Sequence, residues 1–285
     1  DRCCEISAID REDYSSLISA WNHRYLLGIN SDIIPYLQHM SELPRLSSMV
    51  TIKRGIETGC NRKFISATKR LGGNWKPLLR GRDVAKYAIK GNVFLNHDLT
   101  RLAKPGREDL QQMPKVVVQQ NSEHPIAFYD SGNYLVLNST TYLTDASEDL
   151  LKAICVLLNS NLMSWFFKTV LTNNAGLTVN LLPSNLGMIP VPRRLDLSLF
   201  SSLCDALTRL RASFDPARFQ LWHETLVEAL VVAAYFPHVV KDNNAGIRIQ
   251  EIVDAITLEP IENVPYDEAV NSAKNALEEF AFLQS

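Results

Sequence analysis

Two glycines bracket a polar turn in residues 51–64, TIKRGIETGCNRKF, and cationic side chains surround it. Gly55 and Gly59 permit positive φ and leave main-chain N–H groups bare, while Lys53, Arg54, Arg62 and Lys63 supply charge. Thr58 and Asn61 add short polar contacts, and Phe64 closes the motif. Such a turn suits a polyanion, either phosphate groups or DNA. The same Gly-x-x-x-Gly spacing also makes an ordinary β-turn, so its meaning depends on what accompanies it. A second turn, PLLRGRDVAKY at residues 77–87, places Arg80, Arg82 and Lys86 around Gly81.

Other chemistries find little support. The six histidines lack the i, i+4 spacing of a helical metal site, and the five cysteines form neither a C-x-x-C pair nor a zinc cluster. No bound metal is expected, and the cysteine usage points to a reducing, cytoplasmic location. Asp83, Asp98 and Glu108 read as surface charges rather than as a nuclease constellation.

The net charge of −2 hides a segregation along the chain. Residues 1–50 carry −3, 51–130 carry +8, 131–195 carry +1 and 196–285 carry −8. A basic block followed by an acidic one is the asymmetry expected when one part faces a polyanion and another faces solvent or protein.

The elements that must position these turns are short. β-prone runs at 50–53, 63–66, 92–95, 115–119, 126–129 and 134–137 are separated by Gly, Pro, Asn or Asp, which predicts a compact β-rich unit. The period then changes: Leu150, Ile154, Leu157, Leu158, Leu162, Trp165, Phe166 and Val170 predict one buried helix over 149–171, ended by residues 173–176. Residues 178–182 return as an extended run, and Ile189-Pro190-Val191-Pro192 leaves the unit. Beyond it, helices are predicted at about 197–210, from Asp215-Pro216 to about 236, and over 266–282. The fold class is therefore α+β, a β-rich unit with a buried helix followed by a small, acidic α-helical region. Domain boundaries fall at 1–45, 46–195 and 196–285. Neither apolar run, 154–171 nor 226–240, is clean enough to span a bilayer. Asp1 and the lack of a leader pattern suggest a piece of a longer protein, with residues 1–45 connecting it to an upstream domain.

Taken in order, the basic strand with G-I-x-T-G-x-N-x-x-F, then L-L-R-G-R-D-V-x-x-Y, P-K-V-V-V, a helix with L-L-N-S-N-L, and I-P-V-P resemble the TaqI-like C-terminal specificity domain over about 52–192. In that family the domain follows an N6-adenine DNA methyltransferase domain in type II restriction-modification enzymes. The matching positions are Gly55, Ile56, Thr58, Gly59, Asn61 and Phe64, then Leu79, Arg80, Gly81, Asp83 and Tyr87, then Lys115, then Leu158, Asn159 and Ser160, and finally Pro190 and Pro192. The resemblance implies a target-recognition domain that grips double-stranded DNA. Its contacts are expected from Lys53, Arg54, Thr58, Asn61, Arg62, Lys63, Arg80, Arg82 and Lys86, with Arg80, Arg82, Lys53 and Arg62 foremost, and Gly55, Gly59 and Gly81 shaping the turns. Asn159 and Ser160 are expected to bond neighbouring backbone. An N-P-P-Y-like tetrapeptide and a glycine-rich turn for S-adenosylmethionine do not occur in the sequence. The resemblance thus implies a non-catalytic piece without a cofactor, whose partner is an N6-adenine methyltransferase domain in the same or another chain. The alternative is a protein-interaction scaffold, or a separate specificity subunit that docks a methyltransferase through its helical region.

Overall fold

The computed structural model describes residues 11–21, 26, 29, 31–69, 71–171, 179–212 and 216–237. The predicted helix over 266–282 and the predicted helix end at 173–176 lie outside these residues. The architecture is α+β, with two four-stranded sheets and a layer of helices.

The first sheet is antiparallel, in the order β1 (Thr51–Arg54), β11 (Thr140–Thr144), β7 (Lys115–Gln119), β9 (Ala127–Asp130). In β7, Val116 and Val118 belong to the core shared with the helices, whereas Val117 packs with Tyr142, Leu79, Val84 and Val136 on the opposite side. All three valines are fully buried. A strand covered on both faces needs this unbroken apolar run, and the period of two decides which valine faces which layer.

The second sheet runs β10 (Leu135–Val136), β3 (Trp75–Leu79), β6 (Val93–Asn96), β2 (Ile65–Ser66). Pro77 in β3 argues against a strand, and no strand is predicted at 75–79. The structure resolves the conflict by register: β10 pairs with β3 only at Leu78 and Leu79, so Pro77 meets no partner strand on that side. Small pairs join β4 (Val84–Ala85) to β5 (Ala88–Ile89), and β8 (Asn121–Ser122) to β12 (Val179–Asn180).

The predicted single helix over 149–171 is two helices. Ser147 caps α5 (Glu148–Asn159) by accepting from the Leu150 N–H, with Glu148 and Asp149 in the favourable first turn. Ser160, with φ −71° and ψ 158°, ends α5 and caps α6 (Asn161–Phe166) by accepting from the Met163 N–H. The axis bends by 65° between them. Among the described residues no single helix is long and apolar enough to cross a membrane. The apolar surface of the bent pair lies in the core, against α8 (Leu197–Ala212), α10 (Glu228–Tyr235) and the first sheet.

The residues before β1 share that core. Helix α1 (Arg11–Ala20) leads to Trp21, whose ring meets Phe166 edge-on at 5.1 Å; α2 (Ile34–Ser41) places Tyr36 against Phe236 at 5.1 Å and the His39 Nε2 2.8 Å from the Tyr235 carbonyl oxygen. The described part of the leading segment therefore packs on α6 and α10 instead of merely passing through as a connector.

A buried ion pair and a buried carboxyl group hold the layers. Lys115 and Asp130, opposite each other in β7 and β9, form a 2.6 Å ion pair with both side chains withdrawn from solvent. Lys115 also donates to the Gln111 carbonyl, and Asp130 accepts from the Asn133 and Tyr134 amides, so neither charge lacks partners. Asp130→Ala would strand a buried ammonium; the expected loss is about 3–5 kcal/mol in urea unfolding. Where the helices meet, Glu228 accepts from the Asn161 N–H at 2.6 Å and from the Leu162 N–H at 3.3 Å. Burial pushes its carboxyl up from 4.5 to about 7, although those amides and Lys86 favour the charged form. The folded state then holds a proton that the unfolded chain gives up, so this group's contribution falls as pH rises from 4.5 to 7 and levels off above. Relative to Glu228→Gln, the wild type is expected to lose roughly 1.4 kcal/mol per pH unit across that window in chemical denaturation. A difference independent of pH would contradict the assignment.

Candidate nucleic-acid interface

The turn at residues 137–140 joins β10 to β11, and both basic glycine turns close on it. A Cβ at Gly55 would lie 2.3 Å from the Leu137 carbonyl oxygen, and one at Gly81 would lie 2.6 Å from the Ser139 carbonyl oxygen. Hydrogen bonds follow the same contacts: the Gly55 N–H donates to the Thr140 carbonyl at 3.1 Å, the Asn138 N–H to the Ile56 carbonyl at 2.8 Å, and the Gly81 N–H to the Ser139 Oγ at 2.9 Å. These glycines are therefore required by close backbone approach. Positive φ, expected for both Gly55 and Gly59, occurs at Gly59 alone of the pair, at +77°.

This convergence brings Arg54 and the segment carrying Arg82 to one turn. The Arg54 Nε donates to the Asn138 carbonyl at 3.0 Å while the residue stays exposed, and Arg82 follows Gly81 directly, also exposed. Lys53 precedes Arg54 on the edge strand β1 and is exposed. Arg62 and Lys63 are exposed on α3 (Asn61–Phe64), a single turn fixed by Phe64, which packs with Leu78, Leu95 and Leu102 over the second sheet. Among the described residues no carboxylate lies within ion-pair distance of Lys53, Arg54, Arg62, Lys63 or Arg82. Three other cations of the basic block are compensated, Lys76 by Glu108, Lys104 by Glu57 at 3.0 Å and Arg107 by Asp109 at 2.5 Å, whereas Lys69 and Lys90 are exposed without such a partner among the described residues.

Four expected contact residues, Arg80, Lys86, Thr58 and Asn61, have other work. Arg80 donates through Nε and a terminal nitrogen to both Asp83 oxygens, at 2.8 and 2.7 Å, and its backbone N–H bonds the same carboxylate. Burial works against the Asp83 charge, but the bonds from Arg80 outweigh it and hold the carboxyl below its ordinary range. Arg80 therefore locks the turn, and Asp83 is an interior residue, 5% exposed, instead of a surface charge. Lys86 points inward, its Nζ donating to the Asn159 carbonyl at 2.8 Å, with burial lowering its pKa. Thr58 is buried and donates to the Asn61 Oδ1 at 2.6 Å, a local bond that shapes the entry to α3. Asn159 and Ser160 serve backbone: the Asn159 side chain exchanges two 2.9 Å bonds with Ala127, and the Ser160 Oγ donates to the Leu157 carbonyl.

The amide residues around the turn belong to none of the sequence motifs. Gln119 approaches Gly81, its Cγ 3.5 Å from where a Cβ would be, and the Gln120 N–H donates to the Ser139 carbonyl at 3.0 Å. The run Gln119-Gln120-Asn121 directly after the apolar core of β7, and Asn138-Ser139 after β10, were the available signals.

The two arginines of the second turn should separate experimentally. Arg80→Ala removes a bidentate, half-buried lock and is expected to lower stability by about 1–3 kcal/mol. Arg82→Ala should stay within about 0.5 kcal/mol of the wild type, as expected of an exposed side chain with no hydrogen-bond or ion-pair partner among the described residues. Equal losses in guanidinium denaturation would refute this division of labour.

Residues 76–191 match the family model of the TaqI-like C-terminal specificity domain. The first glycine motif, at 51–64, lies ahead of the matched segment. Among solved structures the chain is similar to the type IIL restriction-modification enzyme MmeI in complex with DNA, with 10% sequence identity and a TM-score of 0.39, covering 85% of this chain and 36% of that one. It thus spans about a third of the length of that enzyme's chain. No curated protein matches the sequence. The segment similar to the TaqI-like C-terminal specificity domain, residues 76–191, contains the Arg80–Asp83 lock, the 137–140 turn and the bent α5–α6 pair.

Proposed function

We propose that this chain recognises double-stranded DNA as the specificity part of a restriction-modification N6-adenine methyltransferase and is not catalytic by itself. The observation that carries this reading is the closure of two basic glycine turns on the 137–140 turn, leaving Arg54 and Arg82 exposed and, among the described residues, without carboxylate partners. A protein that binds DNA must neutralise phosphates, and a cation already paired with a carboxylate gains little by doing so. Lys53, Arg54 and Arg82 position the phosphate backbone around the turn, and Arg62 and Lys63 extend the charge along α3.

S-adenosylmethionine has no seat of the expected kind here, because the sequence has neither the N-P-P-Y-like tetrapeptide nor the glycine-rich turn that would hold it. Cofactor binding and base flipping are assigned to a catalytic domain outside these residues. Recognition is left to this chain.

Fluorescence anisotropy with a labelled duplex, titrated over a range of salt, tests the proposal. Contacts through Lys53, Arg54 and Arg82 predict a slope of log K against log salt of roughly −3, reduced by about one unit in Arg82→Ala. Duplex affinity that does not change with salt, or no binding even at low salt, would sink it.

A further inference from the structure

The 137–140 turn carries a second chemistry beside its cations. Five amide residues lie in it or on the segments joined to it: Gln119, paired with Thr140, Gln120, whose N–H bonds the Ser139 carbonyl, Asn121 next in β8, Asn138 in the turn, and Asn180 opposite Asn121 in β12. Three of them are engaged within the protein. Gln120 is buried and its Nε2 donates to the Asn180 Oδ1 at 2.7 Å, which joins β8 to β12; the Gln119 Nε2 donates to the Asn121 carbonyl at 3.0 Å. These bonds fix the backbone on which Asn121 sits. Asn138 is held equally firmly, its N–H on the Ile56 carbonyl and its own carbonyl accepting from Arg54.

The side-chain amides of Asn121 and Asn138 have no hydrogen-bond partner among the described residues, and Asn121 is exposed. Rigid backbone under an unengaged amide is an arrangement suited to reading, because little order remains to be gained on binding. An amide offers one donor and one acceptor side by side. Adenine shows the complementary pair in the major groove, N7 as acceptor and the N6 amino group as donor, whereas guanine shows two acceptors there.

Resting on the DNA-recognition reading above, we propose that Asn121 and Asn138 select adenine at the major-groove edge of A·T pairs, with Arg54 and Arg82 fixing the flanking phosphates. The amides supply base choice. The arginines supply register and most of the salt-dependent affinity.

The test begins with selection of duplexes from a randomised pool by the full 285-residue chain, beside Asn121→Ala/Asn138→Ala and Arg82→Ala. The wild type is expected to enrich a motif containing an A·T pair that the double variant no longer selects. On the selected duplex, replacing that adenine with 7-deazaadenine should weaken the wild type roughly ten- to a hundredfold and leave the double variant unchanged. Arg82→Ala should keep the motif and lose affinity for all duplexes alike. Circular dichroism melting of the variants checks that each remains folded, and the 7-deazaadenine arm reads the same contact on unaltered protein. If the double variant selects the wild-type motif with the same 7-deazaadenine sensitivity, or if the wild type enriches only G·C pairs or no motif, the amide assignment is overturned while DNA recognition stands. Failure of the wild type to bind any duplex overturns both.

Discussion

At Gly55 the main chain passes so close to the 137–140 turn that a methyl group would penetrate the Leu137 carbonyl, and at Gly81 the same turn is approached from another element. These are backbone-on-backbone contacts, which no side-chain rotamer can relieve. They tie three pieces together: β1 of the first sheet, β10 of the second, and the turn that leaves β3. Without them Arg54 and Arg82 would belong to unrelated loops. With them, the two cations flank one rigid turn.

The interior use of charge sharpens the same point. The basic block of 51–130 holds fifteen Lys and Arg residues, yet several serve the fold. Arg80 closes a turn on Asp83, Lys115 neutralises Asp130 beneath the first sheet, and Lys86 reaches the C-terminal end of α5. Each is satisfied by a carboxylate or a carbonyl, as a charge withdrawn from water must be. The excess charge along the sequence therefore overstates what a ligand meets. Lys53, Arg54, Arg62, Lys63 and Arg82, together with Lys69 and Lys90, are exposed and have no carboxylate partner among the described residues.

Much of the architecture was legible where one physical signal dominated. The bounds of β7 follow from its apolar run, and α8 follows from its 3.6-residue stripe. Elsewhere, competing signals hid the outcome. Pro77 masked β3 because register cannot be read from a single strand. Thr140–Thr144 is threonine-rich but wholly buried, its hydroxyls reaching the Leu137, Leu181 and Pro114 carbonyls, contacts that exist only in three dimensions. Ser160 breaks the long apolar helix by capping the next one, a role that the surrounding hydrophobic period conceals. In the site, Arg80 and Arg82 look alike in sequence. The Arg80–Asp83 spacing of three did point to a local lock, but the charge of the turn was the louder signal.

The second basic turn is also anchored from the helical side. Tyr87, with φ at +57°, donates its N–H to the Ala127 carbonyl, the same residue whose amide and carbonyl bond the Asn159 side chain. Lys86 bonds the Asn159 carbonyl, and the next helix starts under Glu228. One end of the 80–87 segment is thus held by the 137–140 turn and the other by the junction of α5, α6 and α10. Arg80 and Lys86 are consumed in making those two attachments. Arg82 lies between them as the one cation of that span left facing solvent, so the bonds that immobilise its neighbours also reduce the entropy it would lose on meeting a phosphate.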